Sequence, residues 1–362
     1  MSLDEARAQI DAVDQQLIKL LNERAELVHI VGTIKKQEGL DVYVPGREEQ
    51  LLRKLAALNT AQKGRLTEKA IRSIYREIMS AALALETSMK IAYLGPAGSW
   101  THQVAINKFG NSVEYVADAS TEGVFDRVAS RVVDYGVLPI EHSTEGAVHH
   151  TLDRLVDSDL QIYAEILWRA ETVVMAQGNG EEIEVIHGHP QVLAQCRPWL
   201  TERFPSAHLT ECASSSAAAT LAANSTRHAA LGTPLGAELH DLKVIATSPS
   251  RHTTQARFIV LGARSGAPSG QDNSMLMVHA RDRVGALLEI LQIFATHSVN
   301  VRQIENRPVP GDEAGTQARF FLEVSGHLQD TAIGAALSQL QSLGTTVKAL
   351  GSYPAPSWIE ER

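Results

Sequence analysis

Residues 3–34 repeat apolar side chains in a strict three–four alternation: Leu3, Ala6, Ile10, Val13, Leu17, Leu20, Leu27, Val31 and Ile34, interrupted at Arg24. Such a seam predicts one long helix packed against other helices. Helical periodicity continues to residue 88 with almost no strand signal. From Lys90 the texture changes to short β-type runs alternating with helical stretches. The readable strands are 90–94, 112–117, 134–140, 160–168, 181–187, 228–232, 242–247 and 256–262. That alternation predicts a layered α/β segment with a largely parallel sheet.

Residues 264–273 are rich in Gly, Ser and Pro and read as a linker. Residues 274–354 then follow β-α-β-β-α-β order, the ferredoxin-like arrangement, and 355–362 are left as a tail. The expected organisation is therefore an all-α domain over 1–88, an α/β domain over 90–263, the linker, and an α+β domain over 274–354.

Arg24 stands where the seam calls for leucine. It either snorkels or fixes helix register, or it meets a buried anion, because an unpaired buried guanidinium costs several kcal/mol. Lys35, eleven residues on, returns to nearly the same helix face ~16 Å along the axis, a spacing that lets two long side chains converge on one small metabolite. Arg7 lies ~42 Å along the rod from Lys35 and cannot reach that site within its own chain. A straight helix of ~50 Å also overhangs a ninety-residue domain, so its cover is expected on a second copy. A homodimer or a higher even oligomer follows, with Arg7 completing the partner's site.

Composition narrows the field. Of 362 residues, 44% are hydrophobic and 21% charged, as in soluble globular proteins. The net charge of −9 argues against nucleic acid as a partner, and means that a site for an anionic metabolite must be built from placed Arg and Lys. No apolar run reaches the ~18 residues that span a bilayer, and no membrane partner is expected. The polar, acidic start MSLDEARAQIDAVDQ reads as neither signal nor transit peptide. Cys196 and Cys212 lack metal-type spacing and read as thiols of a reducing cytoplasm. Neither metal nor cofactor is expected.

The run ARAQIDAVDQQLIKLLNERAELVHIVGTIKK, followed by PGREEQLL, resembles the all-helical chorismate mutase family of the AroQ class. The resemblance implies that Arg24, Arg47 and a partner's Arg7 bind the two substrate carboxylates. It places Lys35 and Glu86 at the ether oxygen and Glu48 at the ring hydroxyl. A Claisen rearrangement needs neither base nor nucleophile, only a dianion held in a compact conformer with donors at the breaking C–O bond. Glu86 donates only when protonated, so its pKa is expected to be raised by burial. Val44 stands where some members have Asp.

Three strand–turn–helix junctions, GPAGSWTHQ, EHSTEGAVHHTLDRL and GHPQVLAQC, supply helix N-termini suited to carboxylate binding. With ARFIVL they resemble the prephenate dehydratase family over 90–263, which implies a two-lobed, periplasmic-binding-protein-like fold. By that resemblance the substrate would meet Ser99, Thr101, His102, Glu141, His142, Ser143, Thr144, Gly146, Gln195, Arg257 and Phe258. The family's catalytic Thr is replaced by Ala256, its Asn by His142, and a Phe or Tyr by Trp100. Thr253 or Thr254 offers a hydroxyl nearby, and His142 is an acid suited to neutral pH.

VGALLEIL and IENRP resemble the effector motifs of ACT domains that bind phenylalanine. The implied effector contacts are Gly285, Ala286, Leu287, Leu288, Glu305, Asn306, Arg307 and Pro308. These resemblances together imply a cytoplasmic bifunctional enzyme of phenylalanine biosynthesis. Its ligands would be chorismate, prephenate and, as allosteric effector, L-phenylalanine. Two alternatives stay open: a mutase whose dehydratase-like domain only binds or regulates, and a non-enzymatic amino-acid sensor.

Overall fold

The computed structural model describes residues 1–143, 146–247, 254–309, 311–312, 315–356 and 358–360. The chain divides into a helical unit, residues 1–90 with 108–114, and a second unit comprising 91–107 and the residues from 115 onward.

The helical unit consists of α1 (Leu3–Glu38), α2 (Pro45–Ala61) and α3 (Glu68–Glu86). Ser2 caps α1 in a capping box with Glu5, and Gly39 closes it in the left-handed region. Acidic residues in its first turn and Lys35 and Lys36 in its last suit the helix dipole. At 36 residues α1 is ~54 Å long. Its seam is largely bare within one chain: Leu3, Ile10 and Leu27 are 59–67% exposed, and Gly32 is the buried residue of this helix. Pro45 opens α2, where its missing N–H costs nothing, and Thr67 caps α3 by accepting from the Ala70 N–H. No helix among the described residues is long and apolar enough to cross a membrane.

The second unit contains three sheets. Its elements begin with β1 (Lys90–Leu94), α4 (Trp100–Phe109), β2 (Glu114–Asp118), α5 (Thr121–Ala129), β3 (Tyr135–His142), β4 (Gly146–Ala147), α6 (His149–Asp157) and β5 (Gln161–Ala170). A second lobe follows: β6 (Val173–Ala176), β7 (Val185–Gly188), α7 (Pro190–Arg203), β8 (His208–Glu211), α8 (Ser215–Ala222), β9 (His228–Gly232), α9 (Pro234–Leu239) and β10 (Lys243–Thr247). The chain returns to the first lobe as β11 (Thr254–Gly262). It ends in β12 (Asp272–Arg281), α10 (Ala286–Thr296), β13 (Val301–Arg307), β14 (Gln317–Ser325), α11 (Thr331–Ser342), β15 (Thr346–Pro354) and β16 (Trp358–Glu360).

Strand order is β16-β5-β11-β3-β1-β2 in the first lobe, with β4 on β3, and β10-β6-β9-β7-β8 in the second. Neither sheet is largely parallel. The returning β11 runs antiparallel to both β3 and β5, and β6 runs antiparallel to both β9 and β10. Strands β6 and β8 carry no clear sequence signal, the first because it is a short apolar run after Thr172. Residues 358–360, expected as a tail, pair in parallel with β5.

The third sheet, β13-β14-β12-β15, carries α10 and α11 on one face, packed by Leu276, Val278, Ile290, Phe294, Leu322 and Leu340. The other face sends Met275, Met277, Phe321, Leu350 and Tyr353 into the core of the first lobe. There Gly351 permits a close approach: a Cβ on it would lie 2.3 Å from the Ile162 carbonyl oxygen. Lys348 donates to the carbonyls of Val156 and Ser158 at the C-terminal end of α6.

Candidate functional site

In the helical unit, Arg24, Lys35, Arg47, Glu48 and Glu86 line one cleft of about 560 Å3 including its mouth, walled by Val28, Tyr43, Leu51, Met79 and Leu83. The 3.6-residue period brings Arg24 and Lys35 of α1 to the same wall. The first turn of α2 supplies Arg47 and Glu48, and the last of α3 supplies Glu86. Lys35 donates to the Val42 carbonyl at 2.6 Å, which pins the α1–α2 connection against the cleft. Val44 lines the cleft without a polar side chain. Arg7 lies far along α1, exposed and 3.9 Å from Asp4.

Glu86 is held above the usual carboxylate range by burial, which outweighs Lys35, Lys36, His29 and Arg24 nearby. Its Oε2 is buried without a hydrogen-bond partner, an arrangement that suits a protonated carboxyl more than a carboxylate. Burial likewise lowers the Lys35 pKa, with Glu86 opposing. Gly32 makes this geometry possible, because a Cβ there would sit 2.8 Å from Cγ and Oε2 of Glu86. Gly32 is not among the residues expected from sequence, although a glycine inside a long helix is itself a signal of close approach.

A second cleft, about 970 Å3 with its mouth, opens between the two lobes of the second unit. Ser99, Trp100, Thr101, His142, Gln195, Ala256 and Phe258 line it. So do Trp168, Thr172, His189, Gln191, Ser214 and Ser215, which sequence reasoning did not select. For Ser214 and Ser215 the available signal is a serine run before an alanine-rich helix: Ser214 caps α8 by accepting from the Ala217 N–H. The Gly95–Ser99 turn reaches across the lobes, where Thr233 Oγ1 donates to the Gly98 carbonyl at 2.9 Å.

Several expected contacts lie elsewhere. His102 is buried, stacked on Tyr93 at 4.4 Å, and accepts the Gly98 N–H at Nδ1. Burial lowers its pKa, so it supports the turn as a neutral ring. Ser143 accepts from the Gln255 N–H and ties β3 to β11. Gly146 is exposed with φ +76°. Thr144 and Thr253 lie outside the described residues, as does the side chain of Thr254.

The largest departure from the expected placement concerns Arg257 and Glu141. Register pairs Ala256 with His142 and Trp168, and all three line the cleft; Arg257 pairs with Glu141 and Leu167 on the opposite face. Successive strand residues face opposite ways, so Arg257 points to the third sheet. There it pairs with Glu165 and Glu323, bonds Gln303, and meets Glu141 at 2.9 Å. Burial pushes Glu165 up to about 7, Glu323 adding to the rise and Arg257 opposing it. Burial disfavours the Arg257 charge, but Glu165 and Glu323 more than compensate and raise its pKa.

The effector motifs divide the same way. Gly285 (φ +85°) precedes α10, with Ala286 buried, Leu287 half-buried and Leu288 exposed. On β13, Ile304 and Asn306 face outward, as does Pro308 beyond its end. Glu305 and Arg307 instead turn to α6, where His149 and Asp153 meet them.

Comparison with known proteins gives one assignment to each part. The families described as chorismate mutase type II, prephenate dehydratase and ACT domain match residues 6–87, 91–266 and 274–341. The bifunctional chorismate mutase/prephenate dehydratase of Aquifex aeolicus is 35% identical, covering 97% of this chain and 98% of its own. That of Neisseria gonorrhoeae is 36% identical over 96% of each. A solved prephenate dehydratase from Arthrobacter aurescens, in complex with L-Phe, aligns with TM-score 0.67 and 29% identity over 74% of this chain and 90% of its own. At 35–36% identity over nearly the whole length of both relatives, the chain belongs to the bifunctional chorismate mutase/prephenate dehydratase family.

Proposed function

We propose that the helical cleft rearranges chorismate to prephenate with Arg24, Arg47 and the Arg7 of a second copy on the two carboxylates. Lys35 and protonated Glu86 donate to the ether oxygen as the C–O bond breaks, and Glu48 accepts from the ring hydroxyl. The supporting observation is Glu86: a carboxyl with a buried, unpartnered oxygen, set beside Lys35 in a cleft of three cations. Donors placed where charge develops act more strongly in such a site than in water. The bare seam of α1 is covered by a second copy in this reading.

Prephenate then loses CO2 and its ring hydroxyl in the interlobe cleft. Ser99, Thr101 and Gln195 anchor the substrate, and His142 protonates the departing hydroxyl. Arg257 and Glu141 act from behind the strands by holding β3 and β11 in register. L-phenylalanine binds at Gly285–Leu288 and the outward residues of β13, where two ACT domains pair edge to edge. The enzyme is cytoplasmic in this reading.

A second reading, a weakened dehydratase, is favoured by Ala256, which faces the cleft without a hydroxyl. Purified protein given chorismate, with prephenate and phenylpyruvate followed separately, distinguishes the two. Phenylpyruvate forming at a rate comparable to prephenate supports the bifunctional reading. Prephenate accumulating alone, with phenylpyruvate appearing on Ala256→Thr plus His142→Asn, supports the second.

A further inference from the structure

The helical unit takes in a second piece of chain, Lys108–Glu114, which lies beyond the residues matched as chorismate mutase and inside those matched as prephenate dehydratase. It is tied to α3 by three bonds. Glu77 accepts from the backbone and side-chain N–H groups of Asn111 at 3.2 and 3.1 Å, and Ser80 Oγ accepts from the Ser112 N–H at 3.1 Å. Gly110 packs so closely that a Cβ would meet Ser80 at 2.4 Å.

Two side chains of this segment contact residues that line the mutase cleft. Phe109 stacks obliquely on Tyr43, ring centroids 5.1 Å apart, and Tyr43 is a wall residue. The Lys108 ammonium sits 5.8 Å from the Tyr43 ring centroid and 3.6 Å from Glu48 Oε1. Both partners of that ion pair are mostly buried, at 14% and 12% side-chain exposure, so it is screened less than a surface pair.

We propose that Lys108 is a positioning residue of the mutase site, holding the Glu48 carboxylate where it accepts the hydroxyl of a cyclic hydroxy-dicarboxylate. The inference rests on the role given to Glu48 above. Its physical basis is competition. Glu48 shares its cleft with Arg24, Lys35 and Arg47, and a carboxylate without a fixed partner there turns toward those cations and neutralises the charges meant for substrate. An ammonium on the far side, fixed to a segment pinned on α3, opposes that collapse. The mutase site is then complete only with a residue from the dehydratase stretch of sequence.

Because the ring hydroxyl does not react, losing its partner weakens substrate and transition state alike. In the full-length protein, Lys108→Met is expected to raise KM for chorismate about tenfold while kcat stays within about twofold; Lys108→Arg restores most of the loss. Glu48→Gln raises KM too, and Lys108→Met adds nothing to it in the double variant, because coupled residues are not additive. An unchanged KM in Lys108→Met overturns the proposal. So do losses that multiply in the double variant, or a fall in Tm and kcat that Arg fails to rescue. If Lys108→Met does not fold, Lys108→Gln is read by the same criteria. A Glu48→Gln variant with normal KM would instead sink the role of Glu48 on which the proposal rests.

Discussion

The two clefts of this protein are built on different local geometries, and that difference governs how they use their charged residues. The helical cleft draws its ionisable groups from turns of three helices, each side chain aimed by a 3.6-residue period, and Arg24, Lys35, Arg47, Glu48 and Glu86 all converge. The interlobe cleft is floored by strands, where every second residue must face away. Ala256, Phe258 and His142 face the cleft, whereas Arg257 and Glu141 serve the opposite face. Charge in the first region lines an open cleft. In the second it is locked in a buried network that joins β3, β5 and β11 to the third sheet through Gln303 and Glu323.

The sharpest break of this contrast is at Arg257. Arg257→Met takes the paired cation from buried Glu165 and one partner each from Glu141 and Glu323, and is expected to destabilise the second unit by about 3–5 kcal/mol, as removal of one partner of a buried pair does. Thermal unfolding with phenylalanine titration checks it. An intact Tm with a raised KM for prephenate would instead place Arg257 on the substrate. Arg24→Ala, by contrast, is expected to lower mutase kcat/KM by about 10²–10³, leaving dehydratase activity on added prephenate within about twofold and Tm little changed.

Gly32→Ala sharpens the comparison within the helical cleft. Its Cβ displaces the Glu86 carboxyl, and mutase activity is expected to fall about tenfold, one donor being misplaced and not removed. Mutase activity should also decline as pH rises through the elevated Glu86 pKa, because the donor is its protonated form. Glu86→Gln, which donates at every pH, should flatten that limb; a flat profile in the unmodified protein counts against Glu86 as donor.

The smallest expected effect lies in the network. Glu165 titrates near 7 when folded and near 4.5 when unfolded. Its contribution is therefore full below about pH 4.5 and is lost as pH rises toward 7. Glu165→Gln should remove that slope, narrowing the Tm difference between pH 5 and pH 8 by several degrees. An unchanged difference would mean that Arg257 keeps Glu165 ionised throughout.

Local pattern settled more of the helical unit than of the rest. The seam specified α1, its single Arg and the return of Lys35 to the same face, because helical periodicity is a property of contiguous residues. Strand alternation is equally local and sets Ala256 and Arg257 on opposite faces, although the family resemblance implies both at the substrate. Which of the two faces the cleft was decided only when the third sheet packed through Met275, Phe321 and Tyr353 onto the first lobe. That packing left a buried guanidinium to be matched by Glu165 and Glu323. Lys108 shows the same limit: nothing in its neighbourhood of sequence points to Glu48, sixty residues earlier. Periodicity and capping read out what neighbours in the chain dictate. The pairing of a buried charge depends on surfaces brought together from distant segments, and is legible only in the folded protein.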